Sequence, residues 1–201
     1  MNVAVLASHE GTTLQAILDA QVSGTLFAQV TLVISNNSAS GALARSRSAD
    51  IPCRHLSSKT HPSPVALDDA ICSALDSAQA DVVFLAGFMK KLGPLTLTRY
   101  RNRILNTHPA LLPKFGGRGM YGMHVHRAVL DSGDDVSGAS VHLVDGDYDT
   151  GPVIAQTHVT VENDDTPEQL AARVQAAERS LVVQVLSELA RGVRILPETN
   201  T

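Results

Sequence analysis

The sequence contains no tryptophan, four phenylalanines and three tyrosines, so its core has to be built from Ala, Val, Leu and Ile. It has two cysteines, Cys53 and Cys72, which form no CxxC pair. Two separated thiols make no disulfide framework and fit a reducing compartment. No apolar run approaches the length of a membrane span, and Met1–Ala7 is too short for a signal-peptide core and lacks a basic leader. A soluble, cytoplasmic protein without membrane contact is therefore expected. The formal net charge of −4 argues against a general nucleic-acid binder. The turn Ser8–Leu14, which follows the first apolar run, carries neither a GxGxxG fingerprint nor a GK[ST] phosphate loop.

What is present is 201 residues, 44% hydrophobic and 18% charged, enough for one α/β domain with a substantial core. Apolar or β-rich runs at Val3–Ala7, Gln29–Ser35, Ile51–Leu56 and Asp81–Ala86 read as strands. Between them, Leu14–Gln21, Gly41–Ala49 and Val65–Ala78 read as helices, and Pro94–Tyr100 as a short helix or turn. This alternation predicts a Rossmann-like three-layer fold, with a mostly parallel central sheet and helices on both faces. Further on, His124–Ser132 reads as a helix, and Gly138–Val144 and Pro152–Val161 as strands. Thr166 as N-cap with Pro167 behind it opens a long helix that Gly192 stops. Residues 197–201 read as a frayed tail. Ligands of such sheets bind beyond the carboxyl ends of the strands. That places the loops Ser8–Thr13, Gly87–Leu92 and Asn106–Pro113 in one candidate cleft.

One stretch concentrates chemistry: Leu105-Asn106-Thr107-His108-Pro109-Ala110-Leu111-Leu112-Pro113. In an extended segment Asn106 and His108 point to the same side. One brings an amide donor, the other a group that titrates near neutrality. Together they suit a reaction that develops an oxyanion. Each residue also has a plain reading: His108 as a structural histidine, and Asn106 or Asp149 as turn residues. Ser140 and His142 share a face by alternation. The turn Ser8-His9-Glu10-Gly11-Thr12-Thr13 precedes a helix and can offer N–H groups and hydroxyls to an anion, or be a capped turn and nothing more. His124 and His126 lack a neighbouring cysteine or carboxylate array, so no metal is expected.

Taken together, Asn106-x-His108-Pro109-x-Leu111-Leu112-Pro113-Lys114, Leu85-Ala86-Gly87-Phe88-Met89, Gly138-x-Ser140-Val141-His142 and Asp149-x-Gly151-Pro152 resemble the folate-dependent phosphoribosylglycinamide formyltransferases of de novo purine synthesis. The likeness runs from about Met1 to Arg191. It implies formyl transfer from 10-formyltetrahydrofolate, a co-substrate, to the amine of glycinamide ribonucleotide. The catalytic set would be Asn106, His108 and Asp149, with Asp149 raising the His108 pKa. Ser140 and His142 would support them. Gly11, Thr12 and Thr13 would hold the phosphate, and Glu178 and Gln175 the ribose. Met89, Lys90, Lys91, Leu92, Asn106, Val144 and Asp145 would contact the folate. The resemblance implies one formyltransferase domain over 1–201, with 1–100 as the phosphate-binding half and 101–196 as the catalytic and folate-binding half. Partners would be these two substrates, with no nucleic acid and no metal, and the protein would be a monomer or a homodimer.

The chain departs from the family pattern at several points. His9-Glu10-Gly11-Thr12-Thr13 stands where the family has Gly-x-Gly-Ser-Asn, Pro64 replaces an arginine that meets the folate tail, and Lys91 replaces an apolar residue. The glycines at 116, 117, 119 and 122 read as a flap over the cleft or as a surface loop. A formyltetrahydrofolate hydrolase and an inactive nucleotide-binding module are the alternatives. The sheet beginning at Asn2 and the chain ending at Thr201 lead us to expect neither the extra N-terminal domain of the hydrolases nor the C-terminal domain of enzymes that formylate transfer RNA.

Overall fold

The computed structural model describes residues 1–197, so the expected tail lies outside the described residues beyond Pro197. Seven strands form one sheet in the order β3-β2-β1-β4-β5-β6-β7. These are β1 (Asn2–Leu6), β2 (Gln29–Ser35), β3 (Cys53–His55), β4 (Val82–Leu85), β5 (Ile104–His108), β6 (Val136–Leu143) and β7 (Val153–Thr160). The first five pair in parallel, whereas β6 and β7 run antiparallel. The expected mostly parallel sheet is therefore present. The strand expected over 51–56 shortens to β3, because this edge strand pairs only Cys53 to His55 with β2.

The helices are α1 (Thr12–Val22), α2 (Gly41–Ser48), α3 (Pro64–Ser77), α4 (Pro94–Arg99), α5 (Met123–Ser132) and α6 (Pro167–Ala190). Strand alternation divides the core into two layers. Val3, Val5, Phe84 and Leu105 pack under α1, α5 and α6, beside Leu14, Val129, Val174 and Leu181. Ala4, Leu6, Val83, Leu85 and Ile104 pack on the other face, beside Ile71, Leu75 and Tyr100. This is why Val3 to Leu6 of β1 and all of β4 are apolar: neither face meets water there. Among the described residues, no helix is long and apolar enough to cross a membrane.

Helix starts follow local chemistry. In α6 the Thr166 hydroxyl accepts from Gln169 N at 3.3 Å and the Gln169 side chain accepts from Thr166 N at 2.8 Å, with Pro167 at the first helical position. Pro64 has the same structural role in α3, behind the N-cap Ser63. The start of α4 is capped from outside. Buried Asp68 on α3 accepts from Leu95 N (2.8 Å), Thr96 N (3.1 Å) and the Thr96 hydroxyl (2.6 Å). Gly93 is required there, since a Cβ would overlap the Asp68 carboxylate. This clamp anchors the end of the 86–93 loop, which borders the candidate site. Asp68→Ala strands two N–H groups and leaves the Thr96 hydroxyl only the Asp68 carbonyl at 3.3 Å, so we expect it to lower the unfolding free energy by about 3 kcal/mol, read as a lower urea midpoint at unchanged slope.

Candidate active site

The carboxyl ends of β1, β4 and β5 meet as expected. Ser8 N donates to Gly87 O at 3.2 Å. The Ser8 hydroxyl donates to Asn36 Oδ1 and receives Met89 N at 2.8 Å. One small side chain thus joins three loops. Asn106 and His108 lie within β5 itself, not in the loop after it. Antiparallel pairing sets Asn106 opposite His142 and His108 opposite Ser140.

The two histidines have defined tautomers. His142 Nδ1 lies 2.8 Å from Leu143 O, and a carbonyl can only accept, so Nδ1 carries the proton. Nε2 is then free to accept from Asn106 Nδ2 at 3.0 Å. By the same argument His108 Nε2 donates to Phe115 O at 2.7 Å. Phe115 has φ 58°, a left-handed backbone. Asp149 faces both rings: Oδ2 is 3.4 Å from His108 Nδ1 and Oδ1 is 3.4 Å from His142 Nε2. Its Oδ2 also accepts from Gly117 N at 3.0 Å. Asp149 too is left-handed, at φ 58°. Phe115 and Asp149 are two of five non-glycine residues with a left-handed backbone among the described residues, and both lie beside this cluster.

The electrostatics are set by burial. His108 is 3% exposed, and desolvation pulls its pKa below the ordinary histidine value. Asp149 and the Phe115 carbonyl push the other way without overcoming it, and His142 adds to the lowering. Asp149 raises this pKa as expected, but burial of the imidazolium outweighs it, so the net shift is downward. Burial also disfavours ionised Asp149. Attraction to the charged forms of His142 and His108 and the Gly117 N–H bond nevertheless hold its carboxyl below the usual range.

Beside this cluster lies a narrow cleft of about 80 Å³. Leu85, Phe88, Lys90, Lys91, Leu92 and Leu97 line one side, and Asn106, His142, Val144 and Gly146 to Asp149 the other. His108 is not among the lining residues and sits behind Asp149. Lys91 reaches across the cleft to Asp147 at 3.3 Å, with its ammonium 4.7 Å from the Tyr148 ring centre. On the opposite face of the sheet, Gly11 caps α1 at φ 70° with no side-chain hydrogen bond, leaving the first N–H groups of the helix open. Thr12 and Thr13 belong to that first turn and do not cap it. A side chain at Gly11 would meet Ala42 Cα at 2.8 Å, so α2 also requires glycine there. The Thr107 hydroxyl donates to Glu178 Oε1 at 2.9 Å, and the Thr13 hydroxyl also favours the charged form of Glu178.

A family model described as formyl transferase matches residues 1–186. The chain belongs to the formyl transferase family. It is 40% identical to the phosphoribosylglycinamide formyltransferase of Escherichia coli over 192 residues, 96% of this chain and 88% of the relative. The solved structure of the corresponding protein of Coxiella burnetii is 36% identical, with a TM-score of 0.90 over 100% of this chain and 91% of that one. A formyltetrahydrofolate deformylase of Pseudomonas syringae is 26% identical, with a TM-score of 0.85 over 99% of this chain and 64% of that one.

In this formyl transferase Asn106, His108, His142 and Asp149 come together. So do Lys90, Lys91, Leu92, Asn106 and Val144 around the cleft. Met89 and Asp145 border the cleft without lining it: Met89 N is engaged by Ser8, and Asp145 accepts from the Thr150 hydroxyl. Cleft residues come from both halves of the chain. Ser140 supports the site at one remove, donating to Ala110 O at 2.6 Å and receiving Leu112 N at 3.0 Å. Gln175 is exposed on α6, one turn from Glu178. The glycine-rich loop is tied down at Gly117 by Asp149. The sequence reading passed over Phe115, Gly117 and Thr107, whose contacts arise only in the fold. Because Asp149 raises the His108 pKa against a larger burial effect, we expect Asp149→Asn to lower it further. Titration of the His108 ring signals by NMR checks this.

Proposed function

We propose that this formyl transferase moves the formyl group of 10-formyltetrahydrofolate onto the primary amine of glycinamide ribonucleotide, within one domain that draws each binding site from both halves of the chain. The observation that carries the reading is the placement of the Asn106–His142–Asp149–His108 cluster. It lies between a cleft on one face of β5 and an open helix start beside Glu178 on the other. The likeness to proteins named phosphoribosylglycinamide formyltransferase supports it. A reduced folate occupies the cleft, its pterin against the backbone of residues 90–92 and the 144–149 loop. The ribonucleotide phosphate rests on the N–H groups and hydroxyls of Gly11, Thr12 and Thr13, and Glu178 receives the ribose.

The amine attacks the formyl carbon and the carbonyl oxygen becomes an oxyanion. Asn106 has two amide hydrogens; one goes to His142 Nε2, and the second meets that oxyanion. The amine must shed a proton. A neutral His108, favoured by burial, takes it on Nδ1, where Asp149 stabilises the imidazolium. The proton returns to the folate nitrogen as its bond to the formyl carbon breaks. A new C–N bond thus replaces the old one, and the protein ends unchanged.

The deformylase likeness keeps a second outcome in view, with water as acceptor on the same groups. A coupled assay following tetrahydrofolate release separates them. Release that requires the ribonucleotide supports transfer, equal release without it supports hydrolysis, and no release supports a binding module. Asp149→Asn should lower kcat by roughly 10² to 10⁴ with the ribonucleotide KM nearly unchanged; a kcat near that of the unmodified protein would sink the role of Asp149.

A further inference from the structure

Thr107 lies between Asn106 and His108, and strand alternation sends its side chain to the opposite face. Its neighbour on that face, Leu105, joins the core with residues of α1 and α6. There the Thr107 hydroxyl donates to Glu178 Oε1 at 2.9 Å. Thr13, in the first turn of α1, is the second hydroxyl on the same carboxyl group. Half-buried Glu178 is thus bonded from the strand that carries the oxyanion donor, while Thr13 of the turn with free helix N–H groups favours its charged form. An ionised carboxyl group accepts about four hydrogen bonds, so Glu178 keeps lone pairs free for a ligand.

We propose that Thr107 is a positioning residue of the acceptor site. Its hydroxyl fixes the Glu178 carboxylate so that the remaining lone pairs receive the two vicinal hydroxyls of a ribose. The bound ribonucleotide is thereby set at a defined height above Asn106. The inference rests on the function proposed above. It gives a simple reason for a hydroxyl in the middle of the catalytic strand: one residue couples the two faces of β5. Burial pushes the Glu178 carboxyl above its ordinary value, against the Thr107 hydroxyl, the charge of Arg179 and the Thr13 hydroxyl. Arg179 is the charged group facing it; α1 and β5 contribute uncharged hydroxyls. Removing the Thr107 hydroxyl drives the pKa higher still, so the carboxylate that receives ribose persists over a narrower range at low pH.

The test compares Thr107→Val, which keeps shape and β-branching, with Thr107→Ser, which keeps the hydroxyl. In steady-state formyl transfer, Thr107→Val should raise the ribonucleotide KM about tenfold, the loss of one charge-assisted hydrogen bond. It should leave the folate KM and kcat within about twofold, and shift the acidic rise of ribonucleotide KM to higher pH. Thr107→Ser should restore both values. An unchanged ribonucleotide KM in Thr107→Val overturns the proposal, as does an equal rise for both substrates or a failure of Thr107→Ser to rescue. Calorimetric titration with glycinamide ribonucleotide alone separates the two levels. If the unmodified protein binds it without formyl transfer, the proposed function falls and Thr107 is judged by the affinity of Thr107→Val; if it does not bind, both fall.

Discussion

A buried carboxylate stays ionised only where the fold surrounds it with partners. Asp149 receives Gly117 N–H and stands 3.4 Å from each of two imidazoles. Much of the surrounding structure follows from meeting that demand. The 109–122 connection must bring Gly117 back across the site, which turns the Phe115 carbonyl onto His108. The end of the antiparallel strand β6 must bring His142 opposite Asn106. Asp149 itself adopts a left-handed backbone. The loop Val144–Gly151, the strand β6 and the glycine-rich connection are thus fixed by one negative charge.

Burial of the same cluster decides its protonation. Exposed, an imidazole beside a carboxylate would hold a proton at neutral pH. Here desolvation wins and His108 rests neutral. Since Nε2 is committed to the Phe115 carbonyl, the vacant site is Nδ1, facing Asp149. A neutral base poised against a carboxylate accepts a proton readily and is stabilised once it has done so. A preformed imidazolium would have no capacity left for the attacking amine. Position and burial therefore assign His108 the accepting part before the donating one.

The fold was legible where backbone periodicity speaks. Val3 to Leu6 of β1 and all of β4 are apolar because they feed both core layers, and Thr166-Pro167 begins α6 through a capping box. Asn106, His108 and Asp149 stand in motifs dense enough to read from a single chain. The short β3 was not legible, because its length depends on its partner β2. The net lowering of the His108 pKa was not legible, because sequence shows charges but no desolvation. Phe115 and Gly117 act through backbone groups, on which side-chain identity is silent. Thr107 was overlooked for a different reason: it points away from the face on which the motif was read.

The interactions also differ in strength across the site. The Asp149 cluster is buried, so each of its hydrogen bonds involves a desolvated charge. The Lys91–Asp147 contact on the far side of the cleft is mostly exposed, with 82% of the Asp147 side chain open to solvent. An exposed pair of this kind contributes about 0.2–1 kcal/mol and is screened by salt. The Tyr148 cation–π contact adds about 0.5–1 kcal/mol. The 144–149 loop is thus held firmly at its Asp149 end and lightly at its Lys91 end. A cleft built this way can admit a large flat ligand by giving way at the lightly held end, while the oxyanion donor and the proton acceptor keep their positions.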